Sequence, residues 1–172
     1  MLGLMNRKVT ALTALILLTS HSFASESWRI TTRGYGPIQA GQSSSEAARL
    51  MGTRLQTYEN RPHEPECDHL YAEKGYEGIS LMVQNGKVTR IEVSNPAVLT
   101  LSGVKVGDTT TRLKQVFGNR LRIFQHAYDD TGFYYYVWEQ SERYGVKFEI
   151  VGDQVTEIHA GDTSILLVEG CS

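Results

Sequence analysis

One pattern runs through this chain twice. The segment Gly36–Gly41 (GPIQAG) leads into a short helical pattern that closes at Gly52, and Gly103–Gly107 (GVKVG) leads into a second that closes at Gly118. Further along, Ile79–Ile91 (ISLMVQNGKVTRI) is answered by Val146–Ile158 (VKFEIVGDQVTEI) at nearly the same offset. Self-similarity at a fixed spacing constrains architecture before any single motif does, because each copy must adopt the same local fold. The pattern predicts an α+β fold of two tandem repeats, 25–98 and 99–172. Each is a short helix followed by antiparallel strands, and together they form a shared sheet with the helices on one face.

Local signals assign the elements. Ser43 with Glu46 three residues on reads as a capping box, and Ala47, Leu50 and Met51 form an apolar stripe on one helix face. In the second copy Asp108 or Thr109 is the cap, Leu113, Val116 and Phe117 are the stripe, and Gly52 and Gly118 stand at the left-handed position after each helix. Ile79, Leu81 and Val83 alternate with polar neighbours, as do Val146, Phe148 and Ile150, which describes strands buried on one face. Asn85-Gly86 and Gly152-Asp153 are tight-turn dipeptides returning each strand onto the next, with Ile91, Val93, Ile158 and Ala160 directed to the core. Leading strands are predicted over Cys67–Tyr71 and Tyr134–Trp138, and a last strand over Ile165–Val168. Residues 53–66, with Pro62, Pro65 and many charges, read as the loosest region.

The first two dozen residues read as a cleavable signal peptide. Arg7 and Lys8 precede an apolar run over Val9–Leu18, and Ser22-Phe23-Ala24 places cleavage between Ala24 and Ser25. The run is shorter than the roughly 20 residues a spanning helix needs, so no membrane span is expected after cleavage. The expected location is the periplasm or the medium. Without Arg7 and Lys8, 15 basic residues (17 − 2) face 19 acidic ones and form no run or stripe. That balance excludes the cationic footprint that nucleic-acid binding requires. Cys67 and Cys171 are the two cysteines, and in an exported chain an even count favours a disulfide between them.

The order of a helix, antiparallel strands and the whole unit again resembles the tandem-repeat fold of the β-lactamase inhibitory proteins. The residues carrying the likeness are the paired openings Gly36/Gly41 and Gly103/Gly107, the closing Gly52/Gly118 and the two hairpins. More distantly it is similar to outer-membrane assembly lipoproteins of the small-protein-A type, which usually have one such unit. The resemblance implies a continuous sheet with helices on one side and an open face on the other. Those inhibitors typically hold a disulfide within each repeat, whereas here one pair links distant positions, so β-lactamase inhibition in particular is not implied.

The functional reading rests on that open face. If Val137 and Tyr135 face the helices, Tyr134, Tyr136 and Trp138 share the opposite side, and the repeat alignment places His69 and Tyr71 there too. Rigid rings on one strand face suit protein-binding hot spots and carbohydrate platforms, although aromatics also simply favour strands. Asp129 and Asp130 lie on a turn that could project toward a partner or be an ordinary hairpin end. The crowd His63, Glu64, Glu66, Cys67, Asp68 and His69 lacks the regular spacing of a zinc site, so neither metal nor cofactor is expected. No serine sits in a G-x-S-x-G elbow, and no histidine lies beside a recognisable nucleophile. The expectation is a non-enzymatic binding protein that grips another protein through the aromatic face, as an inhibitor of an envelope or extracellular enzyme in one version. A glycan- or cell-wall-binding module and an envelope-assembly scaffold are the alternatives.

Overall fold

The structure is a computed structural model describing residues 27–60 and 62–171, so the signal-peptide reading of residues 1–24 lies outside the described residues. Three two-residue strands, β1 (Ile30–Thr31), β2 (Gly34–Tyr35) and β3 (Ile38–Gln39), form a small antiparallel sheet. Helix α1 (Ser44–Met51) follows, then β4 (Leu55–Thr57), β5 (Cys67–Ala72), β6 (Ile79–Gln84) and β7 (Lys87–Val93). Helix α2 (Thr110–Phe117) is followed by β8 (Arg122–Gln125), β9 (Phe133–Trp138), β10 (Gly145–Val151) and β11 (Gln154–Gly161). The last eight strands form one antiparallel sheet in the order β4-β5-β6-β7-β11-β10-β9-β8.

The fold is therefore α+β, with two helices among the described residues. Ala47 and Met51 of α1 and Leu113 and Phe117 of α2 join Leu81, Ile91, Phe148 and Ile158 in one core, so both helices cover the same face of the sheet. Each helix is eight residues long and depends on that burial, since isolated helices of this length do not persist in water. The Ser43 hydroxyl accepts from the Glu46 amide at 3.1 Å and the Thr109 hydroxyl from the Arg112 amide at 3.3 Å, each cap contributing about 1 kcal/mol. The reciprocal half of the capping box is not formed, because the Glu46 carboxylate takes the Arg49 guanidinium at 2.7 and 2.9 Å. Gly52 is left-handed at φ 65°, ψ 25°, whereas Gly118 (φ 54°, ψ −128°) turns the chain into a short 3-10 segment instead.

The hairpins form as read. Asn85 and Gly86 have φ of 50° and 76°, and Gly152 and Asp153 have 57° and 67°; two positive φ values in succession give the hairpin turn whose twist matches the strands. A bulge interrupts the β6–β7 register after Met82, and the Thr89 hydroxyl donates to the Met82 carbonyl at 3.3 Å. Another interrupts β10–β11 after Glu149, where the Thr156 hydroxyl donates to the Glu149 carbonyl, again at 3.3 Å. Ser43 bridges to Lys87 and Thr109 to Gln154, tying each helix cap to the start of a returning strand.

Three sequence readings are corrected. The edge strands β4 and β8 were not anticipated: β4 sits inside the segment read as loose, and β8 is exposed along its whole length with no alternating apolar pattern. Ile165–Val168 is not a strand. Asp162 accepts from the Ser164 amide at 2.8 Å and starts a 3-10 turn over Thr163–Leu166 instead. That turn lies across the sheet face away from the helices, so the face expected to be open is roofed by the chain's own C-terminal segment.

Candidate functional site

The pleat sorts the side chains of that second face. Cys67, His69 and Tyr71 come from β5, Arg90 and Glu92 from β7, and Glu157 and His159 from β11. Lys147 and Glu149 come from β10, with Tyr134, Tyr136 and Trp138 from β9. Such polar alternation ordinarily means solvent. Here residues 162–171 form a strap across the face.

Four interactions hold the strap. Ile165 is fully buried against Tyr134, Tyr136 and Trp138. Arg90 Nη1 donates to the carbonyls of Ser164 (2.9 Å) and Leu167 (3.0 Å), and Lys147 Nζ donates to the Leu167 carbonyl at 3.4 Å. Gly170, at φ 83°, passes so near Arg90 and His69 that a Cβ would stand 2.7 Å from Arg90 Nη2 and 2.9 Å from His69 Nε2. The disulfide Cys67–Cys171, with Cα atoms 5.3 Å apart, closes the strap onto β5. This pairing is the one read from the sequence, and it suits an oxidising compartment.

Beneath and beside the strap lies a cleft of about 340 Å³, lined by His69, Tyr71, Glu92, Tyr134, Glu149, Glu157, His159 and Glu169 among others. Titratable groups in and beside the cleft are almost wholly buried: Arg90 is 2% exposed, Lys147 1% and His159 3%. Arg90 meets Glu92 at 2.6 Å, and Ser80 donates to the other Glu92 oxygen at 2.8 Å. Three histidines each face a glutamate: His69 Nε2 to Glu92 at 3.1 Å, His126 Nε2 to Glu149 at 3.1 Å and His159 Nε2 to Glu157 at 2.8 Å. The remaining ring nitrogen of His159, Nδ1, is buried without a hydrogen-bond partner.

Burial dominates the electrostatics. It pushes Lys147 down to about 8, aided by Arg90 and opposed by Glu149, Glu157 and Glu92. It likewise lowers His159, leaving a neutral imidazole at neutral pH. Burial alone would raise Glu92, but the His69 hydrogen bond and the Arg90 guanidinium outweigh it and hold the carboxyl well below the usual range. A carboxyl depressed in the folded state stabilises above its unfolded pKa, and that stability is lost as pH falls through and below it. The urea midpoint is therefore expected to drop as pH falls below about 4.5, and Glu92→Gln to flatten that acid limb in a pH series of denaturation curves.

Of the residues singled out in the sequence, the structure brings His69, Tyr71 and Tyr134 to this one cleft. Tyr134 and Tyr136 do not present an open platform; each is 5% exposed, because Ile165 and the strap cover them. Trp138, stacked on Tyr136 at 7° between planes, stays half-buried at the margin. Asp129 is occupied in its own turn, accepting from the Thr131 amide and hydroxyl at 2.7 Å each, while Asp130 is exposed beside it. The His63–His69 run is split between faces: the buried Asp68 carboxylate lies on the helix side with His63 at 2.8 Å, and His69 points the other way. Sequence reasoning missed Arg90, Glu92, Lys147, Glu149, Glu157 and His159. The signal was available, since Cys67 shares its face with His69 and Tyr71, and a Cys67–Cys171 bond must draw the tail over that face.

No protein-family profile and no curated protein matches the chain. Among the described residues no helix is long and apolar enough to cross a membrane. Two solved structures align with the chain. The uncharacterized protein YfeY from Escherichia coli superposes at a TM-score of 0.50 with 15% identity, over 77% of this chain and 99% of that one. An extracellular protein containing an SCP domain from Bacillus anthracis aligns at a TM-score of 0.48 with 9% identity, over 96% of this chain and 52% of that one.

Proposed function

We propose that this chain is an exported, non-catalytic binding protein that grips another protein on the strap side of its sheet. The observation that carries the reading is an apolar patch. Phe124 is 56% exposed and Tyr128 70%, and Leu166, Leu167 and Val168 of the strap stand exposed on the same side. They are joined through the layer beneath: the Phe124 ring contacts Tyr136, Ile165 packs on Tyr134 and Tyr136, and the Tyr128 hydroxyl donates to Glu169. A run of exposed rings and aliphatics beside β8, the edge of the sheet among the described residues, is what interaction surfaces look like, and isolated monomers seldom leave one bare. The contact surface thus moves from Tyr134 and Tyr136 to the strap, β8 and the margin at Trp138.

The duplicated architecture belongs to the same proposal. Matching bulges at Thr89 and Thr156, matching bridges at the two helix caps and a strand order mirrored about β7 and β11 support one helix-plus-four-strand unit used twice. The likeness to inhibitory proteins, and export by a signal peptide, are parts of this reading. Affinity capture from periplasm and culture supernatant tests it. Phe124→Ser with Leu167→Ser is expected to abolish retention of a protein held by wild type. Arg49→Ser, on the helix side, is expected to leave it intact. Retention of glycan with no protein partner would favour the lectin-like alternative instead.

A further inference from the structure

The strands place three metal-ligating side chains on one patch of the cleft floor. Glu149 on β10 and Glu157 on β11 are directly opposite in register, and His159 is the next residue of β11 on the same face. One donor atom from each lies within 4.8 Å of the others, and this is the one such group of three found among the described residues. We propose that Glu149, Glu157 and His159 bind a single divalent cation of the zinc class, with the remaining coordination positions open to water or to a group on an incoming ligand.

Two independent features call for a cation here. The first is the cross-strand pair itself. Like charges directly opposite in an antiparallel ladder repel, and a divalent cation shared by Glu149 and Glu157 relieves that repulsion beyond what the single histidine beside each supplies. Neither nearby cation is free to do so: Arg90 is held by Glu92 and two strap carbonyls, and Lys147 by the Leu167 carbonyl and the Tyr134 ring, 5.1 Å from its centroid. Glu92, Glu149, Glu157 and Glu169 line the cleft together with Arg90, an excess of carboxylates over guanidinium. The second is His159, 3% exposed, whose Nε2 meets the Glu157 carboxylate at 2.8 Å and so directs a buried imidazole donor at the cluster. A neutral imidazole nitrogen beside a carboxylate is the donor type that first-row divalent ions take.

The donor set selects the ion. Imidazole with two carboxylates suits zinc and its neighbours in the first transition row, whereas calcium and magnesium favour all-oxygen sites. His126, 3.1 Å from Glu149, sits where an outer partner orients a ligating carboxylate. Tyr128 and Val168 of the apolar patch line the same cleft, but none of the three ligands belongs to that patch, so the site stands or falls without the proposed protein partner.

Isothermal titration of Zn²⁺ into the purified disulfide-bonded chain, with Ca²⁺ and Mg²⁺ in parallel, tests the assignment. One Zn²⁺ per chain is expected, with weaker binding of the other two ions. Glu149 and Glu157 are partly exposed, so Glu149→Gln and Glu157→Gln keep the fold. Each is expected to lower Zn²⁺ affinity by at least about tenfold. Removing one of two facing charges should also leave the metal-free thermal midpoint equal to or above wild type. His63→Gln, on the other face, should leave affinity unchanged. Absence of Zn²⁺ binding at micromolar concentration, or binding that survives Glu149→Gln and Glu157→Gln, would overturn the site. Tighter binding of Ca²⁺ than of Zn²⁺ would overturn the place of His159 in it.

Discussion

Arg90→Ala is expected to destabilise the protein by about 3–5 kcal/mol, more than any other single exposed-face or strap substitution, as read from urea denaturation. Arg90 is 2% exposed and fixes three things together: the Glu92 carboxylate, the Ser164 carbonyl and the Leu167 carbonyl. Truncating it leaves a buried carboxylate without its cation and two strap carbonyls without a donor. Each unmet group costs about 1–3 kcal/mol, more when charged. A buried ion pair is weak proof of net stabilisation, because replacing both partners by apolar groups is often neutral. Arg90→Met with Glu92→Leu is therefore expected to recover the part of the loss that comes from the unpaired carboxylate, and not the part that comes from the Ser164 and Leu167 carbonyls. A double-mutant cycle separates the pair from the strap contacts, since Arg90→Met alone should still release Ser164 and Leu167.

Opening the disulfide is the second large effect. Cys67 and Cys171 are 104 residues apart, so their bond closes most of the described chain into one loop. Chain entropy assigns such a closure about 4–5 kcal/mol, with measured gains often lower. The double variant Cys67→Ala/Cys171→Ala should lower the thermal midpoint by on the order of 10 °C. The damage should be local first. Ile165 and the Arg90 bonds still hold the middle of the strap, so hydrogen exchange should accelerate most at residues 167–171 and least in β6 and β10. Partial lifting of the strap would also bring Tyr134 and Tyr136 toward solvent, creating the aromatic platform that the intact fold keeps covered.

The sequence made the sheet legible because period-two alternation and turn chemistry are local. Ile79, Leu81, Phe148 and Ile150 are in the core as their spacing requires, and both hairpin turns have the positive φ values their dipeptides imply. Edge strands escaped for a physical reason: β8 buries no face, so no burial pattern marks it. The sequence leads to an open face opposite the helices because Lys147 and Glu149 alternate with Val146, Phe148 and Ile150 as surface residues do, and because the resembled fold has one. What hides them is a tertiary event, a tail laid across the sheet, and alternation within a strand carries no trace of it. Only Cys67 and Cys171 recorded that event in the sequence. Their bond lies on the face with His69 and Tyr71, which converts a proposed open platform into a roofed, charged cleft with an apolar rim.

The most direct measurement is photo-cross-linking in the exported protein. A photo-reactive phenylalanine analogue would replace Phe124 on β8, Leu167 on the strap or Glu46 on α1, one at a time. Adducts to another protein are expected from Phe124 and Leu167 and not from Glu46, with the Phe124 adduct lost when Leu167→Ser is combined with it. Adducts from Glu46 alone, or none from any position while the protein is folded and exported, would contradict a partner on the strap side of the sheet.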